Sequence, residues 1–174
     1  MRPERIVILG NAGSGKSTLS RMLGEKLGYS VTHLDKLFWD PGWIKPDPEA
    51  FRQKVKDATN APVWITEGNY ARRTFDLRLP EADLVIWLNT PRILCLIRVF
   101  IRSLGNKKRP DLPEGCTEKI NYAFFKFLRY VWDFDKKYRP EIERLRIESG
   151  GNVPVIYLNN KNQLQYFLAN LSES

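Results

Sequence analysis

Short apolar runs alternate with longer amphipathic segments along most of this chain. The runs cover residues 5–9, 30–34, 63–66, 84–88 and 153–158. They are rich in β-branched residues, as strands are, and the segments between them are long enough to form helices. Strands that alternate with helices predict an α/β fold, a three-layer αβα sandwich in which helices cover both faces of a five-stranded parallel sheet.

The segment between the fourth and fifth runs is longer than the other connections. Residues 91–103 are predicted to form one helix, residues 104–115 contain two prolines and two glycines, and residues 117–148 are amphipathic and rich in aromatic side chains. This pattern predicts a helical, hairpin-like insert within a single domain that spans residues 1–174.

The first apolar run ends in a complete phosphate-binding loop. Residues 10–17 read G-N-A-G-S-G-K-S, which matches the motif G-x-x-x-x-G-K-[ST] between a predicted strand and a predicted helix. In such loops backbone N–H groups surround a phosphate, the lysine reaches the β and γ oxygens, and the final hydroxyl coordinates Mg²⁺. The motif predicts a nucleoside triphosphate site formed by Gly10, Asn11, Ala12, Gly13, Ser14, Gly15, Lys16, Ser17 and Thr18, with Lys16 catalytic and Ser17 a metal ligand.

Two acidic residues follow predicted strands, at the edge where open parallel sheets bind ligands. Asp35 follows the second run and Glu67 follows the third. A carboxylate beside a phosphate loop can hold Mg²⁺, directly or through water, or orient an attacking hydroxyl. Both are therefore predicted catalytic residues, and Glu67 is also a predicted metal ligand. The alternatives are that Asp35 caps the next helix and that Glu67 is an exposed loop acid.

Aromatic and polar residues next to these acids are candidates for substrate contacts. Trp39 and Trp43 either stack on a planar substrate or pack a loop against the core. Asn69 and Tyr70 follow Gly68 in a predicted tight turn, which would bring the backbone close to a ligand.

Basic residues are concentrated in and around the insert. The chain has 28 Lys and Arg against 20 Asp and Glu, a net charge of +8, and residues 92–146 hold 14 of the basic and 7 of the acidic residues. The excess predicts an anionic partner such as nucleotide phosphates, another acidic metabolite or nucleic acid. Arg98 and Arg102 share one helix face and are predicted to stabilise a transferred phosphoryl group, with surface salt bridges as the alternative.

Few residues are available for other chemistries. Cys95 and Cys116 form no C-x-x-C pair and His33 is the only histidine, which argues against zinc clusters and Ser-His-Asp triads. His33 is interpreted as a structural side chain. No run approaches the roughly 18 apolar residues of a membrane helix, so no membrane partner is predicted. The cysteine usage and the lack of a secretory leader predict a cytoplasmic protein.

Several further motifs give the chain a resemblance to a known family over nearly its whole length. In order they are G-N-A-G-S-G-K-S, H-L-D-K-L-F-W-D-P-G-W, E-G-N-Y, A-D-L-V-I-W-L-N-T-P-R, C-L-I-R-V-F-I-R and R-P-D-L-P-E-G. The chain resembles the adenylate-kinase-like P-loop kinases, in particular the bacterial adenylate kinase-related or DNA topology modulation proteins. The resemblance implies strand order 2-3-1-4-5, ATP as the donor, an acceptor-binding segment at residues 35–60 and a lid tip at residues 104–116.

The resemblance also implies roles for individual arginines. Arg98 and Arg102 match two lid-base arginines that contact phosphates, and Arg109 and Arg129 are the nearest candidates for further lid arginines. Adenylate kinases carry D-G-[FY]-P-R after strand three, where this chain has E-G-N-Y-A-R-R. AMP is therefore not implied as the acceptor, and Arg72 or Arg73 is the candidate to replace the missing arginine.

A phosphate loop is also found in GTPases, ATPases and ATP-regulated nucleic-acid-binding proteins. A GTPase requires the guanine-binding motif N-K-x-D, but here the stretch Asn160-Lys161-Asn162 is followed by Gln163, which argues against a GTPase. In related kinases the residues after the last strand pack against the adenine ring, so Asn160 and Lys161 are predicted to bind the nucleotide. The basic, aromatic-rich insert leaves an ATP-regulated nucleic-acid-binding protein as an alternative, and a plain ATPase is another. The sequence favours ATP- and Mg²⁺-dependent phosphoryl transfer to a small-molecule or nucleotide acceptor.

Overall fold

A five-stranded parallel sheet forms the centre of the molecule. The computed structural model describes residues 2–105, 111–112, 115–116 and 120–171. The strands are β1 (Arg5–Gly10), β2 (Val31–His33), β3 (Trp64–Glu67), β4 (Leu84–Leu88) and β5 (Val155–Leu158). All neighbouring strands are parallel, in the order β2-β3-β1-β4-β5. The predicted α/β fold and the strand order implied by the resemblance are confirmed.

Helices cover both faces of this sheet. They are α1 (Lys16–Leu27), α2 (Leu34–Phe38), α3 (Pro48–Ala58), α4 (Ala71–Arg78), α5 (Arg92–Leu104), α6 (Tyr122–Asp133), α7 (Arg139–Gly150) and α8 (Lys161–Asn170). On one face, Ile6 and Ile8 of β1 pack against Leu23 of α1. On the other face, Val7 of β1 packs in a cluster with Phe75 of α4. The alternation along β1 therefore fills two separate core layers, as the αβα prediction requires.

Two predicted elements differ from the observed ones at their boundaries. The second strand ends at His33 because Leu34 already begins α2. The amphipathic stretch at residues 117–148 is divided into α6, a π-helical turn at Phe134–Tyr138, and α7. Pro140 lies in the first turn of α7 and lacks an N–H, so it cannot continue the hydrogen-bond ladder of α6, and the π-helical turn precedes this break.

The helical insert lies between β4 and β5, as predicted. Its two long helices, α5 and α6, pack through buried Cys95 and Val99 on α5 and Phe124 and Val131 on α6. Within the residues that the structure describes, there is no helix with the length and hydropathy needed to cross a membrane.

Gly24 allows α1 to pack closely against β2. A Cβ atom at this position would lie 2.5 Å from Val31 Cγ2 and 3.1 Å from the carbonyl oxygen of Tyr29. Alanine is the better helix former by about 1 kcal/mol, but overpacking typically costs about 1–3 kcal/mol. We therefore expect Gly24→Ala to lower the free energy of unfolding by up to about 2 kcal/mol in urea titrations.

Gly105→Ala is the matched control for this prediction. A Cβ atom at Gly105 would lie 3.7 Å from the carbonyl oxygen of Arg102, which is an ordinary contact. An equal effect of the two substitutions on stability would contradict the packing argument.

Candidate nucleotide-binding site

The phosphate loop connects the end of β1 to the start of α1, as its motif predicts. At two positions of the loop only glycine fits, because there is no room for a Cβ atom. A Cβ atom on Gly10 would lie 2.7 Å from the carbonyl oxygen of Leu88, and one on Gly13 would lie 2.5 Å from that of Cys95. Both residues also have positive φ angles, which favour glycine. The loop is thus enclosed by β4 and α5, and its conformation depends on these glycines.

Asn69 fixes the beginning of the loop. Its side-chain Oδ1 accepts a hydrogen bond from Gly10 N at 3.1 Å, and its Nδ2 donates to Gly10 O at 3.0 Å. The sequence predicted Asn69 as a substrate contact, and the structure gives its amide a bracing contact with the loop.

Arg78 holds the turn that carries Asn69. This fully buried side chain of α4 donates to Gly68 O at 3.1 Å and to Asn69 O at 2.7 Å. Burial lowers the pKa of Arg78 to about 9, against the raising effect of the Glu67 carboxylate, so the guanidinium keeps its charge at neutral pH. Arg78 was not predicted, because nothing in the sequence distinguishes it from the exposed arginines of the same helix.

Glu67 lies at the end of β3 and is buried beside the loop. Its Oε1 lies 2.9 Å from Ser17 Oγ and 2.8 Å from His33 Nδ1. An ionised carboxylate only accepts hydrogen bonds, so His33 Nδ1 carries the proton in this pair. Burial alone would raise the pKa of Glu67, but the His33 hydrogen bond, the Lys16 charge and the Ser17 hydroxyl together lower it below its ordinary value. Glu67 is therefore an anion next to the phosphate loop, and the exposed-acid alternative is wrong.

A second carboxylate comes from the insert. Asp111 Oδ2 lies 3.1 Å from Ser17 Oγ, and Asp111 is 8% exposed. No role was predicted for Asp111, although it stands inside the R-P-D-L-P-E-G motif. That motif was the available signal.

Basic side chains surround the loop. Lys16 Nζ donates to Asn11 O at 2.9 Å. Arg98 Nη1 donates to Ser14 O at 3.2 Å, and the Arg102 guanidinium lies 5.9 Å from the centre of the Phe127 ring. Of the predicted arginine pair, Arg98 contacts the loop and Arg102 stacks on α6.

A cluster of acidic and aromatic side chains forms around Tyr70. Tyr70 OH donates to Asp35 Oδ1 at 2.6 Å, and burial followed by the Asp35 charge raises the pKa of Tyr70. The ring centres of Tyr70 and Phe38 are 4.8 Å apart. The ring centres of Phe38 and Trp39 are also 4.8 Å apart, in an edge-on arrangement. Trp43 contacts Trp39 at 5.4 Å. Both tryptophans thus make packing contacts, Trp43 is also partly open to solvent, and their contact with a substrate stays a prediction.

Other predicted residues lie away from this cluster. Arg72 pairs with Glu141 of α7 and is 77% exposed, and Arg129 pairs with Asp133 and is 75% exposed. Asn160 caps α8 by accepting a hydrogen bond from Gln163 N.

Two further predicted residues complete this group. Lys161 is the first residue of α8 and is exposed. Arg109 lies outside the described residues, so its predicted role stays a prediction.

The oxygen atoms at this site fit a small divalent cation. Ser17 and Glu67 provide a hydroxyl and a carboxylate, which are ligands that Mg²⁺ accepts. Across the described part of the chain, no group of three or more His, Cys, Asp or Glu side chains is arranged to hold a metal ion. A cation here would take its remaining ligands from phosphate oxygens and water, as Mg²⁺ does at phosphate loops.

The contact between Asn69 and Gly10 gives a testable prediction. Asn69→Asp keeps the size of the side chain and its acceptor for Gly10 N, but places an oxygen against Gly10 O. We expect the free energy of unfolding to fall by about 1–3 kcal/mol, the range for a lost buried hydrogen bond that leaves its partner unsatisfied. Asn152→Asp, on an exposed turn, should have little effect in the same thermal and urea denaturation measurements. A residue that only contacts substrate would leave stability unchanged.

Comparison with known proteins supports the same fold and motifs. The chain is 28% identical over 164 residues to adenylate kinase 2 of Nostoc sp., an alignment that covers 78% of this chain and 86% of that protein. It is 25% identical over 170 residues to the shikimate kinase of Persephonella marina, covering 90% and 95% of the two chains. The crystal structure of shikimate kinase from Bacteroides thetaiotaomicron superposes with a TM-score of 0.58 at 18% identity, over 98% of this chain and 97% of that one.

No protein-family model matches the chain. The similarity to adenylate and shikimate kinases confirms the resemblance that the motifs indicated: the chain has the fold and the phosphate loop of an adenylate-kinase-like P-loop kinase.

Proposed function

We propose that this chain is an ATP-dependent kinase that transfers the γ-phosphoryl group to a small-molecule or nucleotide acceptor. The observation that carries the proposal is a complete phosphate loop whose Ser17 hydroxyl meets the buried Glu67 carboxylate, with the Asp35 carboxylate held by Tyr70. The similarity to adenylate and shikimate kinases supports phosphoryl transfer.

On the donor side, each group has a distinct proposed role. The loop N–H groups and Lys16 bind the phosphates, and Arg98 stabilises charge on the transferred group from α5. Ser17 and Glu67 hold Mg²⁺, which neutralises charge on the β and γ oxygens when it is bound. His33 orients Glu67 through its Nδ1–H.

On the acceptor side, Asp35 is proposed to accept the proton of the attacking hydroxyl or to orient it. Tyr70 fixes the Asp35 carboxylate through their 2.6 Å hydrogen bond. Trp39 and Trp43 are proposed to border the acceptor within residues 35–60. The excess positive charge of the insert suits phosphate groups on either substrate.

The proposed location is the cytoplasm. Cys95 and Cys116 are both free and buried, which agrees with a reducing compartment.

Lys16 provides the first test of the donor site. Purified protein would be screened with ATP against nucleoside monophosphates, nucleosides and shikimate, and transfer measured by product formation. We expect Lys16→Met to reduce transfer about 10²–10³-fold, the loss typical of removing one donor to a developing charge. Lys26→Met, on an exposed part of the same helix, should retain full activity.

Other results would point away from a kinase. ATP hydrolysis without phosphorylation of any acceptor would indicate an ATPase. Affinity for duplex DNA that falls steeply with salt, in place of transfer, would indicate a nucleic-acid-binding protein.

Asp35 provides a second, independent test. Asp35→Asn keeps the hydrogen bond from Tyr70 but removes the basic oxygen, so kcat is expected to fall about 10²–10⁴-fold, as when a general base is lost. ATP affinity, measured by calorimetry without acceptor, should be unchanged. Tyr70→Phe serves as the comparison, because it keeps the Asp35 carboxylate but removes the hydrogen bond that orients it. We expect a smaller decrease in kcat for Tyr70→Phe than for Asp35→Asn. An Asp35→Asn variant with wild-type kcat would exclude the proposed role.

A further inference from the structure

We propose that Asp111 is a ligand of the divalent cation that accompanies the nucleotide. The part of the insert that connects α5 to α6 would then contribute to the metal site. The inference rests on the proposed function, because it requires a nucleotide–cation complex at the phosphate loop. Ser17 and Glu67 are the other proposed ligands of this cation.

Two carboxylate oxygens from distant parts of the chain approach the Ser17 hydroxyl beside the loop. Ser17 Oγ lies 2.9 Å from Glu67 Oε1 and 3.1 Å from Asp111 Oδ2. Both carboxyl side chains are largely removed from water, since Glu67 is 4% and Asp111 8% exposed. In sequence, they lie 50 and 94 residues from Ser17. The fold thus brings two buried acids to the hydroxyl that ends the phosphate-loop motif.

The distance from Ser17 Oγ to each carboxylate oxygen is that between neighbouring ligands around Mg²⁺. Mg²⁺ binds oxygen atoms in an octahedron at about 2.1 Å, which puts adjacent ligands about 3.0 Å apart. The two measured separations, 2.9 and 3.1 Å, lie on either side of this value. The Ser17 hydroxyl has one hydrogen and can donate to only one carboxylate at a time. A cation in contact with all three oxygens accounts for both close approaches.

The rest of the described insert supports this position of Asp111. Leu112 is buried, Gly115 lies against Pro41, and Cys116 Sγ lies 3.4 Å from Asp40 O. These residues therefore lie over the segment that follows α2, beside the proposed acceptor site. A metal ligand on the insert would link cation binding to the position of the chain that borders the acceptor.

Binding of Mn²⁺ to the full chain in the presence of ATP tests the assignment without any acceptor. Mn²⁺ is a paramagnetic substitute for Mg²⁺, and free Mn²⁺ is measured by its electron paramagnetic resonance signal. We expect Asp111→Asn to weaken Mn²⁺ binding about tenfold or more, because losing even groups that support a metal ligand costs about 10–100-fold. Asp111→Glu keeps a carboxylate and should retain more affinity. Binding of metal-free ATP to Asp111→Asn should be unchanged or tighter, because a negative charge near the phosphates is lost.

Asp57→Asn is the charge-matched control, since Asp57 is exposed on α3 and accepts a hydrogen bond from Gln53. The assignment is overturned if Asp111→Asn and Asp57→Asn bind Mn²⁺ equally well with ATP. It is also overturned if Asp111→Asn weakens ATP equally with and without metal, which would indicate a structural role.

These measurements separate the inference from the kinase proposal. A wild-type protein that binds Mn²⁺·ATP through Asp111 but phosphorylates no acceptor would support the metal assignment and contradict the kinase function. A wild-type protein that binds no ATP would contradict both.

Discussion

A carboxylate buried at the end of β3 is the constraint around which the site is built. An unpaired charge removed from water costs several kcal/mol, so Glu67 is stable there only with donors and cations in contact. His33, Lys16 and Ser17 supply them from β2 and from the loop. The parallel register places His33 opposite Glu67 on one side and Ile8, near the end of β1, on the other. The strand order that forms the core therefore also assembles the site.

The phosphate loop is held from two directions. Asn69 binds Gly10 where the loop leaves β1, through a turn that the buried Arg78 secures from α4. From the other side, α5 approaches Gly13 so closely that no Cβ fits, and Arg98 donates to Ser14 O. Because α5 belongs to the insert and also contacts the loop, the insert and the loop share a packed interface. Donor binding and the insert are therefore connected through packed backbone.

The sequence predicted the parts of the structure that follow from local patterns. Short apolar runs identified the strands, and the phosphate-loop motif identified Ser17, whose proximity to Glu67 follows from the shared edge of a parallel sheet. Asp111 could not be found in this way, because it stands in a Pro- and Gly-containing stretch without periodicity, 94 residues from its contact. Arg78 and the contact of Asn69 with Gly10 were beyond local patterns for a related reason: buried and exposed polar side chains look alike in sequence until the backbone they contact is known.

The departure from D-G-[FY]-P-R has a backbone cause. In E-G-N-Y-A-R-R the position of the proline is taken by Tyr70, whose φ of 38° is left-handed, and proline is restricted to φ near −65°. The conformation of this turn therefore excludes a proline at the Tyr70 position. Arg72 pairs with Glu141 of α7, whereas the Arg73 guanidinium lies 5.7 Å from the ring centre of Phe38, beside the cluster of Asp35 and Tyr70. Of the two arginines, Arg73 thus lies nearer to the cluster of Asp35 and Tyr70, and it is the candidate for a contact with the proposed acceptor.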